Sequence, residues 1–227
     1  MPLDAIEIET APHPRATVII LHGLGADGND FVPVANEFDL RSAGPVRFLF
    51  PNSPVRAVTV NGGHVMPAWY DIFGAELAEP GKGSARREDE AGLRESQALV
   101  AALIDQERAR GIAASRIVLG GFSQGCAMTL MAGLRYPERL AGLLCMSGYL
   151  PLADTAASER SEANAAVPIF QAHGTADGVI PIARATASRD ALVALGHPME
   201  WHAYPMAHSV CAEEITDMNR WLAKVLA

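Results

Sequence analysis

The chain has 227 residues, 49% apolar and 19% charged, a composition that suits one folded domain over 1–227 with a sizeable core and excludes a disordered protein. Its 18 basic and 26 acidic residues give a net charge of −8. No basic run exceeds Arg86-Arg87, so neither nucleic acid nor an anionic membrane is expected as the main partner.

The longest charge-free apolar stretch, 140–153, is too short for a membrane span and is broken by Gly and Pro. The first residues lack the basic start and apolar core of a secretory signal. Cys126, Cys145 and Cys211 have no metal-ligand spacing, and with the missing signal they predict reduced thiols in a cytoplasmic protein.

Ile6 and Ile8 alternate with Glu7 and Glu9, as in a half-exposed antiparallel edge strand. Residues 17–21 are apolar throughout and run into His22-Gly23-Leu24-Gly25-Ala26-Asp27-Gly28, a glycine-rich loop that opens a helix predicted over 29–40. A strand at 46–50 ends at Pro51. The segment 51–84 shows no convincing helix, and so long a connection is expected to be functional. Within it, 57–60 and 64–66 flank Asn61-Gly62-Gly63 like a hairpin with an Asn-Gly turn. Trp69, Tyr70 and Phe73 follow closely, and the hydrophobic Met66, Trp69, Phe73 and Leu77 are expected to wall a substrate pocket.

A long helix over 87–110 carries Leu93, Val100, Leu103 and Ile104 on one face, with an acidic start, a basic end and Gly111 as its stop. A strand at 116–119 precedes Ser123, and Ala127, Leu130, Met131 and Leu134 then form one helical stripe that stops before Pro137. The pattern continues with a strand at 140–146, a polar loop at 147–161, a strand at 167–172, a helix at 183–195, a strand at 199–204 and a last helix bearing Ile215, Met218, Leu222 and Val225. Strands alternating with helices predict an α/β fold, a parallel sheet covered on both faces.

Gly121-Phe122-Ser123-Gln124-Gly125 matches the G-x-S-x-G turn in which a strained serine stands between a strand and a helix. Ligands in such sheets bind beyond the carboxyl ends of the strands, and this turn calls for the chain order serine, acid, histidine. His22, His173 and His208 all follow strands, but only His208 comes after a carboxylate that itself follows Ser123 at a strand end. Asp177 is the first choice of acid, and Asp154, after the preceding strand, occupies a position that could also serve. His22 and His173 are expected to be structural, bonding their glycine-containing turns. The amides of Gln124 and Leu24 are the expected donors to a tetrahedral oxyanion. No metal or cofactor is implied.

Together, LHGLGADGNDF, PAWYDI, GFSQGCAM, HGTAD and PMAHSVCAEEI resemble the carboxylesterase and acyl-protein thioesterase family of α/β-hydrolases, over nearly the whole chain. The resemblance implies Ser123, Asp177 and His208 as a triad, Leu24 and Gln124 as oxyanion donors, Trp69 near an acyl pocket, and a possible homodimer. Gly178 stands where the family often has proline, and Ala207 where it often has glycine. The first functional reading is a serine carboxylesterase for short- to medium-chain esters. An acyl-protein thioesterase or lysophospholipase with the same triad is the alternative, and a non-catalytic binding protein on this scaffold is a third.

Overall fold

The computed structural model describes residues 3–74 and 88–227. Its strands are β1 (Ala5–Glu9), β2 (Ala16–Leu21), β3 (Val46–Pro51), β4 (Val55–Val58), β5 (His64–Pro67), β6 (Ile117–Phe122), β7 (Gly142–Met146), β8 (Ile169–Gly174) and β9 (Met199–Tyr204). Seven of them form one sheet in the order β1-β3-β2-β6-β7-β8-β9, and β4 and β5 make a separate hairpin. Within the sheet β1 alone runs antiparallel, with Ala5 opposite Pro51 and Glu9 opposite Arg47.

The helices are α1 (Val32–Ala35), α2 (Glu90–Ala109), α3 (Gln124–Arg135), α4 (Ala153–Glu159), α5 (Ile182–Ala194) and α6 (Ala212–Val225). Because strand side chains alternate, each central strand feeds two cores. Ile19, Leu21, Leu119 and Leu143 meet Leu93 and Val100 of α2, Leu130 of α3 and Leu192 of α5. Val18, Ile20, Val118 and Leu144 meet Ala35 of α1 and Met218, Trp221 and Leu222 of α6. Residues 124–134 of α3 are buried on every side, not only along the expected stripe.

Three local expectations change. The helix predicted over 29–40 is a 3-10 turn at Gly28–Phe31 followed by the single turn α1; the amide of Asp39 donates to Asn219 Oδ1 at 2.9 Å, a tertiary bond that takes the place of a helical one. The hairpin is shifted, pairing Val58 with His64, and its connection spans residues 59–63 instead of 61–63. Asp71 draws Thr59 out of the strand by accepting from its amide at 2.7 Å and its hydroxyl at 2.6 Å, and Gly62 and Gly63 then supply positive φ angles of 66° and 79°. The supposed loop at 147–161 contains α4, fastened by Glu159 to Arg94 at 2.8 Å and to Arg135 at 2.8 Å.

At the amino-terminal ends of the strands, Glu107 of α2 is fully buried. It accepts from Thr17 Oγ1 at 2.6 Å, Arg47 at 2.7 Å and Arg110 at 2.8 Å. Burial alone would raise this carboxyl, but the three donors hold it below its ordinary value.

Glu214, in the first turn of α6, is also fully buried, and among the described residues no side chain pairs with its oxygens, which have only the Cys211 backbone near them. Burial pushes its carboxyl from 4.5 up to about 8, with the Cys211 backbone opposing. The folded state thus holds a proton that the unfolded chain releases above pH 4.5. Stability from this group is complete below that pH and declines as pH rises toward about 8, at roughly 1.4 kcal/mol per pH unit. Glu214→Gln is expected to flatten that decline. Urea unfolding of both proteins between pH 5 and 9 reads it, and parallel curves would rule out Glu214 as the source.

Candidate active site

The turn after β6 places Ser123 at φ 56° and ψ −116°, a left-handed conformation that costs a non-glycine residue of order 1–3 kcal/mol. Its surroundings hold it there. The Ser123 amide donates to Met146 O of β7 at 2.9 Å. A Cβ at Gly125 would overlap the carbonyl of Leu21, and one at Gly121 would run into the backbone of Gly125. The two motif glycines are therefore required by the close approach of α3 to β2 and β6.

His208 and Asp177 reach the serine from the loops after β9 and β8. His208 Nε2 lies 2.9 Å from Ser123 Oγ, and His208 Nδ1 lies 2.7 Å from Asp177 Oδ2. The other carboxylate oxygen, Oδ1, accepts the amides of Val179 and Ile180, each at 2.8 Å. Those amides hold the Asp177 side chain in place even though glycine follows it, and Ala207 does not keep His208 from the line. Asp154 instead lies exposed in the first turn of α4. Phe122 packs its ring 4.7 Å from that of His208.

His173 contributes more than a turn contact. Its Nε2 sits 2.8 Å from Ile180 O and 3.3 Å from Asp177 Oδ2, so it helps fix the loop that carries the acid. Burial lowers its pKa, which suits a neutral ring.

The loop after β2 lies against the serine: a Cβ at Gly23 would stand 3.4 Å from Ser123 Cβ. Leu24 N–H has no acceptor among the described residues. Gln124 is the first residue of α3, where helix geometry leaves the N–H without an intrahelical partner. Two free amides therefore flank Ser123, an arrangement able to receive a developing oxyanion.

His22 and Trp69 brace this loop. His22 Nδ1 donates to Gly23 O at 2.7 Å, and Nε2 accepts from the Ser53 amide at 3.0 Å. Burial lowers the His22 pKa and keeps this neutral tautomer. Trp69 Nε1 donates to His22 O at 3.0 Å, its amide donates to Gln124 Oε1 at 2.8 Å, and Gln124 Nε2 donates to Tyr70 O at 2.7 Å. Trp69, expected near the acyl pocket, is 0% exposed. Its indole N–H is used beneath the loop after β2, and it presents no free face to a substrate. Met66 and Phe73 are half-buried, with the Met66 sulfur bordering Gly25, while Leu77 lies outside the described residues. The bracing by Ser53 and by the Gln124 carboxamide was not foreseen: both are contacts over more than 30 residues, and no local pattern encodes them.

Among the described residues no helix is long and apolar enough to cross a membrane.

The sheet order, the strained serine turn and the flanking loops are those of an α/β-hydrolase. The profile of the phospholipase/carboxylesterase family matches residues 3–226, and the chain belongs to that family. It is 39% identical over 225 residues to acyl-protein thioesterase 1 of Yarrowia lipolytica, covering 97% of this chain and 96% of the relative. It is 41% identical over 219 residues to acyl-protein thioesterase 1 of Neurospora crassa, covering 93% and 87%. The crystal structure of SOBER1 from Arabidopsis thaliana superposes with a TM-score of 0.86 at 32% identity, covering 94% of this chain and all of that one. The chain is a hydrolase of the carboxylesterase/thioesterase type.

Proposed function

We propose that this hydrolase cleaves acyl thioesters, S-acylated proteins foremost, by a serine mechanism. The observation that carries the chemistry is the line Asp177 to His208 to Ser123, with hydrogen-bond distances of 2.7 and 2.9 Å on a serine held in a strained turn. The choice of thioester is supported by near full-length identity to two acyl-protein thioesterases. It displaces the short- to medium-chain carboxylesterase as first reading. The three cysteines form no disulfide, which supports a reducing compartment such as the cytoplasm.

Ser123 Oγ attacks the acyl carbonyl carbon as His208 Nε2 takes its proton, and Asp177 stabilises the resulting imidazolium. The carbonyl electrons move onto oxygen, facing the amides of Leu24 and Gln124. As the tetrahedral species collapses, the C–S bond breaks and His208 delivers the proton to the leaving sulfur. Water then attacks the acyl-serine, His208 accepts its proton and returns it to Ser123 Oγ, and the carboxylic acid departs.

The test is a matched series in which acyl chains of two to sixteen carbons are joined to the same leaving skeleton through sulfur or oxygen. A higher kcat/KM for sulfur, together with release of acyl groups from an S-acylated peptide, is expected. Faster cleavage of short oxygen esters without peptide deacylation would restore the carboxylesterase reading.

A further inference from the structure

A cavity of about 270 Å³ is lined by His208 together with Phe31, Val34, Phe122 and Val210, and by the exposed Asp30. A second, of about 530 Å³, shares Val34 and Val210 and continues between the α1 segment and the start of α6, past Ile215 and Glu37. Because Val34 and Val210 border both, the two cavities adjoin as one groove, with His208 among the walls of the first. Asp30 and Glu37 are its fully charged residues, and no lysine or arginine lines it among the described residues. Both carboxylates are exposed and neither forms an ion pair among the described residues.

Chemistry decides which half of a substrate lies there. His208 must hand its proton to the departing atom, so the leaving group occupies the side of Ser123 on which the imidazole stands. The oxyanion faces the amides of Leu24 and Gln124. A groove walled by His208 therefore takes the leaving group, and its apolar lining with exposed carboxylates matches a segment that is apolar and cationic.

We infer that this groove binds the leaving-group side of the substrate and selects peptides in which lysine or arginine flanks the acylated residue. The inference rests on the serine hydrolase mechanism proposed above; that the leaving atom is sulfur is a separate matter which the experiment keeps apart.

The probes are octanoyl-cysteine peptides that differ only in carrying two lysines, two glutamines or two glutamates beside the cysteine, and the same three peptides with octanoyl-serine. In the wild type kcat/KM is expected to fall from lysine to glutamine to glutamate, by about three- to tenfold across the series at roughly 20 mM salt, and to converge at roughly 500 mM. Asp30→Asn with Glu37→Gln should level the order, and Asp30→Lys with Glu37→Lys should reverse it. The order is a ratio within one protein, so a variant of lower overall activity still reports, and near-UV circular dichroism checks that each folds. A level wild-type series, or an order that persists in the neutral double variant, overturns the inference. Charge ordering among the serine esters with no cleavage of the cysteine thioesters keeps the groove and sinks the thioesterase reading.

Discussion

Ser123→Ala is expected to fold like the wild type and to lose kcat by about 10⁴- to 10⁶-fold. Alanine meets the same strain at φ 56° as serine does, and the amide bond to Met146 O is untouched, so stability should change by less than about 1 kcal/mol. What disappears is the oxygen 2.9 Å from His208 Nε2, and with it the acyl-enzyme. Residual turnover reflects binding and the two amides alone. The three side chains act as one unit, so His208→Ala on top of Ser123→Ala should cost almost nothing more. Single-turnover kinetics and mass spectrometry after fluorophosphonate treatment check the assignment; an adduct on any other residue would falsify it.

Glu107→Ala is expected to lower stability by about 3–5 kcal/mol while leaving the catalytic loops intact. The substitution takes from Arg47, which is 8% exposed, the buried carboxylate 2.7 Å away and leaves it only the more exposed Glu9 at 2.9 Å, and a buried charge deprived of its buried partner is the costly outcome of breaking such a pair. At this chain length the melting temperature should fall by roughly 10 °C or more. Because Glu107 joins Thr17 and Arg47 at the strand ends opposite Ser123, kcat measured well below the melting point should stay near that of the wild type. Replacing both charges, Arg47→Met with Glu107→Leu, should recover much of the loss. A single variant that melts within a degree or two of the wild type would mean that Arg47 finds water or Glu9 sufficient.

How much of this was legible in the residues depended on whether the signal was local. The turn at Ser123 could be read because the strand before it and the helix after it leave their own periodicities, and because a glycine on either side is demanded by backbone contacts at the same spot. The pairing of His208 with Asp177 followed from chain order and strand ends, although 31 residues separate them. The antiparallel β1 was visible in the alternation of Ile6 and Ile8 with Glu7 and Glu9. Failures occurred where a distant side chain overrode local preference: Asn219 on the Asp39 amide, Asp71 on Thr59, and Arg94 and Arg135 on the α4 carboxylate. The enclosure of Trp69 was illegible for a related reason. An aromatic in a long segment looks the same whether it faces a substrate or a carbonyl, and His22 O decided the matter.

The loop at 22–25 is braced by one distant stretch of chain. Ser53 holds the His22 ring, Trp69 holds the His22 carbonyl, and Pro67 O accepts from Gly25 at 2.9 Å. None of these bonds belongs to the seven-stranded sheet, whose register forms without them. Local opening of 53–69 is therefore expected to release the 22–25 loop at a lower free energy than unravelling the sheet. On gentle heating, turnover should fade while the helical signal in circular dichroism is still complete. A peptide bond cut within 53–69 should leave a particle that sediments as before and no longer turns over substrate.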